Sequence, residues 1–334
     1  MNKRDFSIEF IRVIAMFMII IDHILCRISF PGVALIIQVC NSGVFLFLFI
    51  SGFLFGKKEI TNWGKWFKKR FIRILIPLWF FAVIDILVEY LLWHEFYPEH
   101  IFLYAFNLQG VKVATIGSIN LWFVTLIMIC YLITPVIQWV KMKSGIFLKA
   151  VVTSLIVLQI IFAYVTDIGL FGNHTLSWCI LAVLVYGTGY IAGEKILYHS
   201  KGYKQLFFSS VILVIGIMAV LVGKKLFNGT VLYERILFVY GMICIDQFLI
   251  TLFYKLGSYI KNIKLKKIIQ HLDRISYEFY IVHGIVISAV TEMILRNNGQ
   301  LMYMLSSVVL SYIAAIILHI LCKIPLKALY KEKR

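Results

Sequence analysis

The chain has 334 residues, of which 61% are hydrophobic and only 15% charged. A soluble domain holds roughly 45–50% apolar and about 25% charged residues, and longer chains split into domains rather than bury a greasier core. A water-soluble globule is therefore excluded, and lipid is the expected solvent. The net charge of +17, from 33 Lys and Arg against 16 Asp and Glu, does not point to nucleic acid, because no basic domain stands apart from the apolar runs.

Ten runs reach the ~20 apolar residues that a spanning helix requires. They are 6–29, 33–56, 71–92, 120–140, 146–166, 176–198, 206–223, 231–254, 275–295 and 302–322. The expected fold is an all-α, polytopic integral membrane protein of about ten transmembrane helices. Met1 to Arg4 is basic, but the run behind it is of spanning length and charged, so it is read as a retained helix rather than a cleaved signal. With the N-terminus inside, the cytoplasmic segments hold 26 of the 33 Lys and Arg, and the outer loops hold six: Arg27, Lys112, Lys224, Lys225, Arg235 and Arg296. That asymmetry puts both termini in the cytoplasm. Residues 1–334 are expected to form one transmembrane domain, with no fused extracytoplasmic domain.

The first run carries Glu9, Arg12, Asp22 and His23. A charge placed in hydrocarbon costs about 2.5–3.5 kcal/mol, so four polar groups on one helix point to function. Arg12 and His23 are eleven residues apart, which is close to three helical turns, so they share a face about 16 Å apart. Glu9 lies three residues before Arg12, at pairing distance on a helix.

The second run contains Gly43, Ser51 and Gly52. The glycines permit close helix packing, and Ser51 is a candidate nucleophile without an adjacent base in sequence. A basic loop follows, ending in Arg70 and Arg73. Ordinary positive-inside charge explains its lysines. Two arginines three residues apart at a helix start also form one patch, suited to bidentate contact with a phosphate-bearing cofactor. Residues 94–119 are too polar to span, and a short interfacial piece is expected around 101–106. Near the end, Ser276, Tyr280 and His283 follow i, i+4, i+7 and make a polar stripe beside Tyr277.

The six cysteines lie in or beside apolar runs, without CxxC pairs or zinc-ligand spacing to His. They read as small buried hydrophobes, and neither a disulfide nor a metal site is expected.

Taken together, these segments resemble the acyltransferase-3 family of polytopic bacterial enzymes that acylate cell-surface glycans. Arg12 and His23 match the family's Arg, ten residues, then His. Glu9 matches its acidic residue three positions earlier. Arg70 and Arg73 match RxxR, and Gly43 to Phe53 the small-residue second helix. Leu121, Trp122, Phe123, Tyr131 and Pro135 match LWF…Y…P, and Ser276, Tyr277, Tyr280 and His283 match SYxxYxxH. The resemblance implies an O-acetyltransferase of the bacterial cell membrane. It would move an acyl group, usually acetyl, from cytoplasmic acetyl-CoA or another acyl-CoA to a hydroxyl of an exopolysaccharide or a lipid-linked saccharide. In that reading Arg70 and Arg73 hold the phosphates of coenzyme A. His23 is the general base or a transient acyl carrier, with Asp22 beside it, and Arg12 with Glu9 lines the path beneath. Ser51, Trp122, Tyr131, Ser276, Tyr277, Tyr280 and His283 line the substrates. The acyl donor, the saccharide acceptor and the bilayer are the implied partners, with polysaccharide-assembly proteins as further candidates.

Two other readings share parts of this pattern. A transporter or flippase for an acyl group or lipid-linked saccharide would also keep charges in the membrane. A scaffold in a polysaccharide-assembly complex would not need polar residues along one face of the first helix.

Overall fold

A computed structural model describes residues 5–94, 97–110, 115–165, 169–171, 174–198, 203–295 and 299–331. Its helices are α1 (Phe6–Leu25), α2 (Val33–Cys40), α3 (Ser42–Gly56), α4 (Trp63–Trp93), α5 (Pro98–Ala105), α6 (Trp122–Lys141), α7 (Gly145–Val165), α8 (Leu176–Tyr198), α9 (Tyr203–Phe227), α10 (Phe238–Tyr259), α11 (Ile263–Val290) and α12 (Gln300–Lys331). A two-stranded antiparallel hairpin, Gly169–Phe171 with His174–Thr175, precedes α8. Of the charges weighed for orientation, Lys3, Arg4, Lys112, Lys201, Arg296, Lys333 and Arg334 lie outside the described residues.

Nine helical segments among the described residues are long and apolar enough to cross a membrane, with α2 and α3 counted together. The chain is an all-helical, polytopic membrane protein. The expected tenth span is α1. It has 20 residues, but Glu9, Arg12 and Asp22 set its composition apart from the other nine. It lies inside the bundle, packed on α3, α10 and α11, with Ile11, Ala15, Met16 and Ile20 fully buried. A helix apolar on most sides belongs in such a position. Its start is fixed by Asp5, which accepts a hydrogen bond from the Ser7 amide at 3.1 Å and another from the Tyr254 hydroxyl at 3.0 Å. The short piece expected near 101–106 is the helix α5.

Two helices begin well before their apolar runs. α4 starts at Trp63, where the Asn62 side chain accepts from the Lys65 amide at 2.9 Å. α11 starts at Ile263, where Asn262 accepts from the Lys264 and Leu265 amides at 2.9 and 3.1 Å. Asparagine caps satisfy amides that a helix start leaves open. Arg70 and Arg73 are therefore two turns inside α4 rather than at its start, and the Ser276–His283 stripe sits in the middle of α11.

The tightest seam joins α3 to α8. A Cβ on Gly52 or Gly56 would come within 2.0 Å of the Tyr186 or Tyr190 carbonyl oxygen, and one on Gly189 within 2.1 Å of the Phe49 oxygen. Small residues let the backbones touch where lipid gives no hydrophobic drive. Gly189→Val forces these helices apart and is expected to destabilise the protein by about 1–3 kcal/mol. Thermal unfolding in detergent measures this, and an unchanged midpoint would mean the seam can open at no cost.

Candidate active site

Helices α1 and α11 run parallel, and three rungs join them. Glu9 accepts from the Gln270 side chain at 3.1 Å. Arg12 makes a two-point pair with Asp273, its Nε donating at 2.7 Å and its terminal amino group to the second carboxylate oxygen. Farther along, the His23 and His283 rings stack with centroids 5.2 Å apart and planes within 23°. The partner of Arg12 is thus Asp273, not the Glu9 expected from spacing. A carboxylate facing from the parallel helix offers the guanidinium both oxygens, and Glu9 is occupied by Gln270.

Around the first two rungs opens a cavity of about 900 Å³. Its wall carries six cations, Arg12, Lys57, Lys58, Arg70, Arg73 and Arg274, against four acids, Asp5, Glu9, Glu194 and Asp273. The Arg70 guanidinium lies 4.3 Å over the Phe55 ring and 5.9 Å from that of Trp66. Such aromatic faces hold a guanidinium in place. Arg73 stands one turn on, exposed to the same space.

A second chamber of about 260 Å³ continues inward and shares Arg12, Arg70, Arg73, Asp273 and Arg274 with the first. Ser51, Tyr131, Ser276, Tyr277 and Tyr280 line it, together with Phe47 and Phe123. The Tyr277 hydroxyl donates to the Ile74 carbonyl at 2.9 Å, fixing α11 to α4. The Ser276 hydroxyl donates to the Asp273 carbonyl of its own helix at 2.9 Å. Tyr280 donates to the Asn120 carbonyl and touches Phe123 and His283, with centroids 5.6 and 5.3 Å away. One turn beyond Tyr280 lies the imidazole pair. The carbonyl of Tyr280 takes the Nδ1 proton of His283, which leaves Nε2 of that ring as an acceptor. His283 is wholly buried, whereas the His23 side chain is 27% exposed, its Nδ1 3.6 Å from an Asp22 oxygen.

Of the residues expected to line the substrates, two stand outside the chamber wall: His283, wholly buried behind Tyr280, and Trp122. As the first residue of α6 it faces α8, in edge contact with Trp178 at 5.0 Å, and lines a separate pocket with Asn41 and Ser42. Its neighbour Phe123 faces the chamber instead. The structure adds Asp273, Arg274 and the pair Glu278–His319, whose carboxylate and Nδ1 are 2.9 Å apart on the chamber wall. Asp273 continues the Ser276, Tyr280, His283 stripe by one more turn, which is the signal that would have found it. Among the described residues no cluster of three or more His, Cys, Asp or Glu is arranged to hold a metal ion.

The profile of an acyltransferase domain, that of the acyltransferase-3 family, matches residues 5–320. The chain belongs to the acyltransferase-3 family. The match runs from the cap of α1 into α12, so it takes in the imidazole pair and every lining residue of both cavities except Leu326. Searches of curated proteins and of solved structures return no significant match.

Proposed function

We propose that this acyltransferase takes an acyl group, acetyl in the first instance, from acyl-CoA on the cytoplasmic side of the bacterial cell membrane. The acceptor is a hydroxyl of a cell-surface glycan or its lipid-linked precursor. One observation carries the reading. The parallel register of α1 and α11 sets a cationic cavity, an aromatic-walled chamber and, behind the chamber residue Tyr280, paired imidazoles in order along one path. Asp273 and His283 are ten residues apart, so the two ends of that path are about 15 Å from each other along the axis.

In this scheme the phosphates of coenzyme A stay in the cationic cavity against Arg70 and Arg73. Arg12 is already neutralised by Asp273 and serves as wall. The acyl-bearing arm lies in the chamber between Tyr131, Tyr277 and Tyr280. His23, the less buried member of the imidazole pair, takes the proton of the acceptor hydroxyl as its oxygen bonds to the acyl carbon. The carbon–sulfur bond breaks and coenzyme A leaves as its thiolate.

Arg70→Ala and Arg73→Ala test the donor end. A hydrogen bond to a charged group contributes about 1.5–3 kcal/mol, so each variant should bind acetyl-CoA roughly 10–100-fold more weakly. Calorimetric titration of the purified protein reads this. Unchanged affinity in both variants would reduce these arginines to topology signals. Release of free thiol from acetyl-CoA, dependent on added acceptor, separates the enzyme from a transporter.

A further inference from the structure

The inner chamber has one polar pair that the scheme above leaves without a task, Glu278 and His319. The other polar groups of its wall are largely committed. Tyr277 and Tyr280 donate to the carbonyls of Ile74 and Asn120, and Ser276 to that of Asp273. The Asp273 carboxylate is taken by Arg12. The arginines of the wall only donate. An amide N–H entering this chamber therefore needs an acceptor that is still open, because a polar group that loses its water without a new partner is penalised.

His319 supplies one. It comes from α12, and its Nδ1 lies 2.9 Å from a carboxylate oxygen of Glu278 on α11, both residues lining the chamber. The Glu278 side chain is 7% exposed and that of His319 36%, so the carboxylate is the buried partner and the ring the open one. A carboxylate only accepts, so Nδ1 carries the proton and Nε2 is left as the acceptor. A carboxylate behind an imidazole also fixes the direction of the ring. Among the described residues no hydrogen bond reaches Nε2. The hydroxyls of Ser51 and Tyr131 remain on α3 and α6, but a hydroxyl serves as donor or acceptor, whereas this nitrogen takes the acceptor's role alone. Its depth is also suitable. Glu278 is five residues beyond Asp273 and five before His283, about 7.5 Å from each along α11. An arm that leaves the arginines and runs toward Tyr280 passes this level.

We propose that His319, oriented by Glu278, accepts a hydrogen bond from an amide N–H of the coenzyme A arm, the stretch between the phosphates and the sulfur. It is a specificity contact: it favours a donor that carries this amide-bearing arm over one that offers the phosphates alone. The inference rests on the donor reading given above, and does not depend on which acyl group or acceptor the enzyme uses.

The test is calorimetric titration of the purified protein with two probes, coenzyme A and phosphoadenosine diphosphate, the part of it that holds the phosphates and lacks the arm. The wild-type protein should bind coenzyme A the more tightly. His319→Asn keeps a donor near the Nδ1 position toward Glu278 and ends short of Nε2. It should bind coenzyme A about 3–10-fold more weakly, the worth of one neutral hydrogen bond, and phosphoadenosine diphosphate as the wild type does. Glu278→Gln should act in the same way, because its amide can donate to Nδ1 and turn Nε2 into a donor. Arg70→Ala, by contrast, should weaken both probes. Unchanged affinity for coenzyme A in His319→Asn, or an equal loss of both probes, would overturn the proposal. So would a wild-type protein that binds the two probes equally, since the arm would then lie outside the chamber. If the wild type binds neither probe, the donor reading itself falls and this inference falls with it. Should His319→Asn not fold, Glu278→Gln and the comparison of probes on the wild type decide.

Discussion

Asp273→Ala is expected to destabilise the protein by about 3–5 kcal/mol, the cost of leaving one partner of a buried ion pair uncompensated. The Asp273 side chain is 2% exposed and that of Arg12 29%, so the guanidinium left behind would lose its carboxylate while sharing the cavity wall with Lys57, Lys58, Arg70, Arg73 and Arg274. The pair also sets the parallel register of α1 and α11, on which the positions of both His23 and Arg12 depend. Unfolding by heat or denaturant in detergent gives the magnitude. A second variant separates charge from packing. Arg12→Met combined with Asp273→Leu removes both charges and keeps the branching of the Asp273 side chain, and apolar replacement of a whole buried pair is often neutral or stabilising. The double variant should therefore recover most of the stability that Asp273→Ala loses. If the single variant unfolds at the wild-type midpoint, the pair does not hold the two helices together.

Arg70→Ala provides the contrast. Its guanidinium rests on Phe55 and Trp66 at the cavity wall, so its removal should weaken donor binding while leaving the fold nearly intact. Arg12 and Arg70 are both conspicuous arginines in the sequence. What separates them is the partner each meets: Arg12 pairs with Asp273, 261 residues away, whereas Arg70 rests on Phe55 and on Trp66 of its own helix.

This difference explains what the sequence could and could not reveal. The spans were legible because lipid requires about 20 apolar residues in each, and that signal is local. The true starts of α4 and α11 were hidden because apolar content drops in the basic loops, while the helix is carried on by Asn62 and Asn262. Those caps are visible in the sequence to a reader looking for asparagine ahead of a basic stretch. The common face of Arg12 and His23 followed from helical geometry alone. The Arg12–Asp273 pair did not, since its members are 261 residues apart and only packing of α1 on α11 brings them together. The direction of Trp122 was equally beyond reach. Trp122 and Phe123 both fit an aromatic lining, and which of the two faces the chamber depends on how α6 is rotated against α8 and α11.

The stacking of His23 on His283 sets up the other large effect. His23→Ala should lower acyl transfer by about 10²–10⁴, the usual contribution of a general base, while the affinity for acetyl-CoA stays as in the wild type because Arg70 and Arg73 are untouched. A variant with full activity would remove His23 from the chemistry. The same protein can tell a base from an acyl carrier. The rings are stacked with centroids 5.2 Å apart, and no hydrogen bond joins them among the described residues. In the proposed scheme His283, wholly buried and tied through Nδ1 to the Tyr280 carbonyl, supports the ring of His23 and takes no proton from it. With His23 as a base acting on the acceptor, acetyl-CoA mixed with enzyme in the absence of acceptor should release no burst of thiol. A carrier would release one equivalent per protein before any acceptor is added, since formation of a covalent intermediate precedes its transfer. Rapid-mixing detection of free thiol, run with and without acceptor, separates these outcomes on wild-type protein, and the His23→Ala variant supplies the baseline for both.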